Sequence, residues 1–214
     1  KFEIELFESG IKNLEDKTNK LRYNNFAYSI RELSRHFLYS LSPEEKVKSC
    51  DWYKNLTDND KPTRGQRIKY AIQGGLSDEL LIKSGFDVEE LKEVIKNTKD
   101  IIGSLSKYTH INEDVFDLPE SEVESKSKEV LGIFSEFVNT IDDYREDLKT
   151  LLEVSIDNDV LNSIIFHSFN EVDILAPRHT IESSELEEYE IEEINESFVV
   201  VSVNGHLHVT LEYG

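Results

Sequence analysis

The spacing of apolar residues along the chain predicts helices first and strands last. The clearest helix covers 24–41, where one apolar stripe recurs at steps of three or four residues: Phe26, Ile30, Leu33, Phe37 and Leu41. Segment 2–20 is also rich in apolar residues, and its pattern fits either a short strand or a helix. The 24–41 stripe predicts a helix with one buried face and the opposite face in water.

Capping signals divide the middle of the chain into further helices. A serine, threonine or aspartate followed three residues later by glutamate or glutamine is typical of a helix N-terminus, and it occurs at Ser42, Thr63, Asp87 and Ser121. Ser77 begins another short helix, and glycines close two of the helices. The predicted helices are 42 to about 52, 63–74, 77–85, 88–105, 122–154 and a last one near 157–169.

After Pro177 the apolar period changes to two, which predicts β-strands. Asn204-Gly205 is typical of a type I′ turn and predicts a hairpin between the last two strands. The predicted fold is α+β and mainly α: residues 1–176 form a helical bundle, including the long helix near 122–154, and residues 177–214 form a small, acidic C-terminal antiparallel β-hairpin or β-meander. Because the sequence has no methionine and ends inside a predicted strand, we expect a fragment whose last sheet is truncated.

The composition is that of a folded, soluble protein. Of the 214 residues 38% are apolar, which is enough for a core although 32% are charged. Every apolar stretch is shorter than the roughly 18–20 residues that a membrane span requires, and no signal peptide opens the chain. The single Cys50 cannot form an internal disulfide. We therefore expect a cytoplasmic protein without a membrane partner.

Charge is divided unequally between the two halves of the chain. The formal net charge is −20, but residues 1–112 carry 19 basic and 18 acidic residues, whereas residues 113–214 carry 5 and 26. Phosphates are repelled by an acidic surface, so any site for a polyanion is expected in the first half. The acidic second half is either a solvated face or a surface for a basic partner.

Motifs of several enzyme classes are missing from the sequence. It contains no GxxxxGK[ST] phosphate loop, no GxGxxG, no HExxH and no GxSxG. His206 and His208 would face the same side of the last strand, but no further ligands accompany them, and we expect ordinary strand residues. We therefore expect neither a cofactor nor a metal ion.

Arg31 and His36, five residues apart on the 24–41 helix, are the main catalytic candidates. RNA can be cut without a metal ion when a base takes the proton of the 2′-hydroxyl, which then attacks the adjacent phosphorus. Imidazole suits this transfer near neutral pH, and a guanidinium can clamp the phosphate. Glu32, four residues before His36, could orient the imidazole. The alternative is that Arg31, Glu32 and Arg35 form only the solvated side of an amphipathic helix.

Two further clusters provide candidate nucleic-acid contacts. Arg64, Arg67 and Lys69 lie at and inside a predicted helix N-terminus, where phosphate binding is favourable, although they could equally neutralise neighbouring acids. At the end of the 88–105 helix, His110 could be a second proton-transfer group, or part of a C-terminal cap. The nucleic-acid-binding candidates are Arg35, Arg64, Arg67, Lys69, Lys107 and Tyr108.

Four segments resemble the bacterial family of predicted pPIWI-associating nucleases: the Arg31–His36 helix, Thr63–Leu76, Lys107–His110 and the closing Leu211–Gly214. The Arg31 and His36 pair is also similar to the R-x4-6-H motif of HEPN ribonucleases. The first resemblance implies a nuclease linked with defence modules that contain Argonaute-like PIWI proteins. The second implies a HEPN-like helical domain and a site built between two protomers of a homodimer.

Three hypotheses about function follow. The first is a metal-independent endoribonuclease of bacterial defence against phages or plasmids, with RNA, or alternatively DNA, and a defence-system protein as partners. The second is a non-catalytic module that binds nucleic acid or protein in a defence complex. The third is a scaffold whose acidic half mimics nucleic acid or silences a basic effector.

Overall fold

The computed structural model describes residues 1–166, 178–194 and 199–212. These residues are mainly helical and end in an antiparallel sheet, which confirms the predicted fold class. The described residues up to Asp143 form one compact unit, and those from Tyr144 onward form a second. The sequence-based division into 1–176 and 177–214 stays a prediction. The elements are α1 (Phe2–Glu15), α2 (Arg22–Leu41), α3 (Glu44–Lys48), α4 (Arg64–Gln73), α5 (Asp78–Lys83), α6 (Val88–Tyr108), α7 (Glu120–Phe166), β1 (Arg178–Ile194) and β2 (Val199–Glu212).

The core of the first unit is built around α2, which packs against α1, α4 and α6. Phe26 and Ile30 of the predicted stripe are buried, whereas its later members are half-buried and Leu38 is buried in their place. Each fully buried large apolar side chain stabilises the fold by about 1.5–3 kcal/mol. The facing helices contribute Ile68, Ile72, Ile102 and Leu105. Segment 2–20, for which the sequence allowed a strand or a helix, contains the helix α1.

The predicted cap at Ser42 is wrong, as is the one at Ser121, which lies inside α7 because that helix begins at Glu120. The caps at Thr63, Ser77 and Asp87 are confirmed. Ser42 ends α2, and its hydroxyl donates to the Arg67 carbonyl oxygen at 2.6 Å. Because this bond satisfies the buried hydroxyl, α3 starts without a side-chain cap and extends only to Lys48. The Thr63 hydroxyl accepts from the Gln66 amide, and Ser77 and Asp87 cap their helices in the same way.

Helix α7 is longer than predicted. It runs without interruption to Phe166, so the separate helix predicted near 157–169 is wrong up to that residue, and 167–169 lie outside the described residues. The segment 145–166 contains neither proline nor glycine, so no residue favours a break. Within the first unit α7 buries Val123, Val130 and Phe137. Among the helices that the structure describes, none combines the length and apolarity needed to cross a bilayer.

Strands β1 and β2 pair antiparallel along their whole length, from Arg178 opposite Glu212 to Ile194 opposite Val199. The predicted turn at Asn204-Gly205 is wrong, because β2 continues through both residues. A register shift between Leu186 and Glu188 of β1 lies opposite them, so they occupy an irregular part of the ladder. Residues 195–198, which connect the strands, lie outside the described residues, as do 213 and 214 of the motif Leu211–Gly214.

Candidate nucleic-acid interface

A cavity of about 200 Å³ lies between α2, the start of α4 and α6 in the first unit. Four arginines and one carboxylate line it, so its charged side chains sum to a formal charge of +3. In a chain with a net charge of −20, such a basic cavity is a local exception suited to an anion. Its lining residues are Arg31, Glu32, Ser34, Arg35, Leu38, Tyr39, Pro62, Arg64, Arg67 and Ile102.

Two helices position the cationic side chains. On α2, Arg31, Arg35 and Tyr39 follow one another at steps of four residues, so they lie on one face of the helix. Helix α4 begins at Arg64 because Thr63 and Gln66 form a reciprocal capping box, in which the Gln66 side-chain oxygen accepts from the Thr63 amide at 2.8 Å. This cap fixes the point at which the chain enters α4 and therefore holds Arg64 at the cavity.

Arg31 and Arg64 have hydrogen-bonding capacity that the protein does not use. Among the described residues, the Arg64 guanidinium has neither an ion pair nor a hydrogen bond, and the buried Arg31 Nε has no partner. The Arg31 Nη1 atom lies 3.5 Å from Glu32 Oε1, at the outer limit of a hydrogen bond. Burial, and next the Arg31 charge, lower the pKa of Arg64 from its ordinary value. Two adjacent cations with spare donors would therefore be stabilised by an anion between them.

Glu32 contacts the arginines rather than His36. Its Oε2 accepts from Arg35 Nε at 3.0 Å, so the expected orientation of the imidazole by Glu32 is not found among the described contacts. Arg35 makes the contact instead, with Nη2 at 3.3 Å from His36 Nε2. Since a guanidinium can only donate, Nε2 is the acceptor in this contact. His36 is half-buried, packs edge-on against Phe2 at 5.1 Å between ring centroids, and is not among the cavity-lining residues.

Arg67 is a structural residue as well as part of the cavity wall. Its side chain is only 3% exposed, its Nη1 donates to the Ser42 carbonyl oxygen, and its Nη2 lies 3.8 Å from Glu44 Oε2. The guanidinium carbon also lies 4.0 Å from the centre of the Tyr39 ring. Arg67 therefore connects the end of α2 with α4, and its buried Nη2 has no hydrogen-bond partner among the described residues.

Lys69, the third predicted contact on α4, does not line the cavity. Its ammonium group lies 2.7 Å from Asp78 Oδ1 and 4.8 Å from the centre of the Trp52 ring. These contacts correspond to the alternative in which the cation neutralises a neighbouring acid.

Tyr39 lines the cavity and was not singled out by sequence reasoning. One face of its ring is covered by Arg67, yet 54% of the residue is exposed. The sequence could have indicated it, because Tyr39 follows Arg35 by four residues and therefore lies on the same face of α2 as Arg31 and Arg35.

The predicted cluster at the end of α6 lies away from His36. Tyr108 is buried edge-on against Tyr23 at 4.7 Å, and its carbonyl oxygen accepts from Asn24 near the start of α2. His36 follows Asn24 by twelve residues, or about 18 Å along the helix. His110, which is exposed, follows Tyr108 by two residues, so the structure does not bring the two histidines together. Lys107 is paired with Asp114 at 3.0 Å.

Within 1–166, 178–194 and 199–212, the histidine, cysteine and acidic side chains form no cluster of three that could hold a metal ion.

Two family models match the chain in succession. Both are described as predicted pPIWI-associating nuclease, and they cover residues 1–134 and 141–214. The short interval between them precedes Tyr144, where the second compact unit begins. No curated protein and no solved structure matches the chain. The similarity to HEPN ribonucleases stays a prediction, whereas the two matches show that the chain belongs to the family of predicted pPIWI-associating nucleases.

Proposed function

We propose that the chain is a metal-independent endoribonuclease that holds a phosphodiester of its substrate in the arginine-lined cavity. The observation that carries this proposal is the pair Arg31 and Arg64, which line the same cavity: the Arg31 Nε and the Arg64 guanidinium have no hydrogen-bond partner among the described residues. Guanidinium groups form strong, directional hydrogen bonds with phosphate oxygens. The nuclease part of the proposal is supported by the family description.

His36 is the proposed general base. The neutral Nε2 accepts the proton of a 2′-hydroxyl, and the 2′-oxygen forms a bond to phosphorus while the bond from phosphorus to the 5′-oxygen breaks. The leaving 5′-oxygen takes a proton from water, so the products are a 2′,3′-cyclic phosphate and a 5′-hydroxyl. Without a substrate, Arg35 Nη2 lies 3.3 Å from His36 Nε2. A phosphate bound in the cavity would attract Arg35 and so free Nε2 to accept the proton. Arg31 and Arg64 offset the charge that develops on the phosphoryl oxygens.

The test is cleavage of a fluorescent single-stranded RNA in the presence of EDTA. His36→Ala should reduce the rate at least 100-fold, the lower end of the usual contribution of a general base, with little change in affinity. His110→Ala is the matched control and should retain the rate. His110 is exposed, lies two residues beyond the end of α6 and does not line the cavity. Unchanged cleavage by His36→Ala, or cutting of DNA as fast as RNA, would contradict the mechanism.

A second candidate is a binding module that holds nucleic acid without cutting it. The observation that favours it is the place of His36, which packs against Phe2 and does not line the cavity, whereas the arginines do. In this case RNA stays intact, His36→Ala binds as tightly as the parent chain, and Arg64→Ala binds more weakly. Affinity that does not change with salt would count against both candidates, since phosphate contacts release counterions.

The proposed setting is cytoplasmic bacterial defence against phages or plasmids, beside a PIWI-type partner protein, as the family description suggests. A homodimer, implied by the HEPN resemblance, would place a second His36 in the assembly. The mass of the protein measured by light scattering tests the dimer: a mass near 25 kDa, that of one chain, would contradict it.

A further inference from the structure

We infer that Tyr39 is a stacking platform for a nucleobase, so that the arginine-lined cavity takes single-stranded rather than double-stranded nucleic acid. This inference rests on the proposed function and names its substrate class. It adds a base contact to phosphate contacts that carry no information about strandedness by themselves.

The first observation is the setting of the Tyr39 ring. The Arg67 guanidinium lies 4.0 Å from the ring centre and covers one face. Although Arg67 covers that face, 54% of Tyr39 is exposed, and the hydroxyl has no hydrogen bond among the described residues, so we expect the opposite face to be accessible to a base. An exposed ring beside cations is the arrangement on which bases stack in single-strand-binding proteins.

The second observation is that Arg67 holds the ring in place. Arg67 is itself only 3% exposed and is anchored by the Ser42 carbonyl and by Glu44. The platform therefore needs little ordering when a base arrives, which lowers the entropic cost of binding. The cation behind the ring adds to stacking on its front, since guanidinium, aromatic ring and base can form one continuous stack.

The third observation is that phosphate donors and ring line the same cavity. Arg31 and Arg64 share its wall with Tyr39, so a single nucleotide can place its phosphate on the arginines and its base on the ring. In a duplex both faces of each base are covered by neighbouring base pairs, and a base must leave the helix before a protein ring can stack on it. The juxtaposition therefore favours unpaired strands, loops or ends.

The experiment measures binding by fluorescence anisotropy, with a labelled single strand of 2′-O-methyl RNA that cannot be cut through its 2′-oxygen. The parent chain should bind the single strand more tightly than the same strand annealed to its complement. Tyr39→Ala should weaken single-strand binding about 5- to 100-fold, the range of one stacked base, and leave duplex binding unchanged. The matched control is Tyr28→Ala, which removes a tyrosine of the same helix that is 55% exposed and does not line the cavity.

Tyr39 also covers Arg67, so a loss of affinity in Tyr39→Ala could follow from a displaced guanidinium. Tyr39→Trp distinguishes the two roles. A larger ring should keep or increase affinity and should quench 2-aminopurine placed in the strand. If Tyr39→Trp leaves the fluorescence of 2-aminopurine unchanged, no base stacks on the ring and the inference is overturned.

The remaining outcomes separate this inference from the proposed function. Weak binding by Arg64→Ala together with unchanged binding by Tyr39→Ala, or equal affinity for single strand and duplex, would overturn the stacking role while leaving the phosphate site intact. If neither Arg64→Ala nor Tyr39→Ala alters affinity, the cavity is not the binding site and both proposals fall.

Discussion

Replacing Arg64 by alanine should weaken nucleic-acid binding without weakening the fold. Among the described residues the Arg64 guanidinium has no ion pair or hydrogen bond, so its removal breaks no stabilising contact of that kind. It is also the first residue of α4, where a positive charge opposes the helix dipole at a cost of about 0.3–1 kcal/mol. Arg64→Ala should therefore leave the free energy of unfolding unchanged or raise it by up to about 1 kcal/mol.

The loss in binding follows from the contact that the guanidinium would make. A hydrogen bond to a charged group contributes about 1.5–3 kcal/mol, which corresponds to roughly a 10- to 150-fold change in Kd. In a plot of log K against the logarithm of the salt concentration, the slope should become less steep by about 0.7, the value for one phosphate contact on a single strand. A binding residue whose removal stabilises the fold is typical of a functional site.

Lys69→Ala is the control, because it removes one positive charge from the same helix. Lys69 is paired with Asp78 at 2.7 Å and does not line the cavity, so this variant should bind normally and be slightly less stable. Urea denaturation gives the stabilities, and anisotropy at several salt concentrations gives the affinities. The reasoning would be refuted if Arg64→Ala and Lys69→Ala lost affinity equally, or if Arg64→Ala lost more than about 1 kcal/mol of stability.

Three further predictions concern the scaffold. Arg67→Ala should lower the free energy of unfolding by about 2–4 kcal/mol, because it leaves the buried Ser42 carbonyl without its donor and removes the guanidinium that packs on Tyr39, and a urea midpoint equal to that of the parent would contradict this. Burial is the largest single influence and raises the pKa of Asp78, but the hydrogen bonds from Lys69 and Gln73 and the nearby lysine charges together hold the pKa below the ordinary 3.8. The Asp78 contribution is therefore complete above the unfolded pKa of about 3.9 and is lost as the pH falls through the lower folded value; Asp78→Asn should remove this part of the acid destabilisation measured by circular dichroism. A side chain at Gly10 would meet a serine of α2 at 3.1 Å, so Gly10→Val should cost about 1–3 kcal/mol in thermal unfolding, whereas Gly132→Val, with no atom within 4 Å, should not.

Sequence signals predicted the helix ends well where the capping hydrogen bonds join residues that are close in sequence. The capping box at Thr63 and the glycine with a φ of +60° at Gly74 set both ends of α4. Ser42 carries an equally good signal, but its hydroxyl binds the carbonyl of a residue 25 positions away, which no local pattern reveals. The Asn204-Gly205 turn failed for a similar reason, because the pairing of β2 along β1 overrode a two-residue preference.

The candidate site could be predicted in its residue types and only partly in its arrangement. Helical periodicity brings Arg31, Arg35 and Tyr39 to one face, and it could have indicated the tyrosine. Which cations are free depends on tertiary contacts: Arg67 is buried beneath Tyr39, whereas Arg64 is left without a partner among the described residues. These outcomes depend on how α2, α4 and α6 pack, and a single sequence does not specify that packing.

A crystal structure with a short single strand of 2′-O-methyl RNA would test the phosphate site most directly. We expect a phosphate within hydrogen-bonding distance of both Arg31 and Arg64, and a base stacked on the open face of Tyr39. RNA bound on another surface, with the arginine-lined cavity unoccupied by it, would contradict the proposed site.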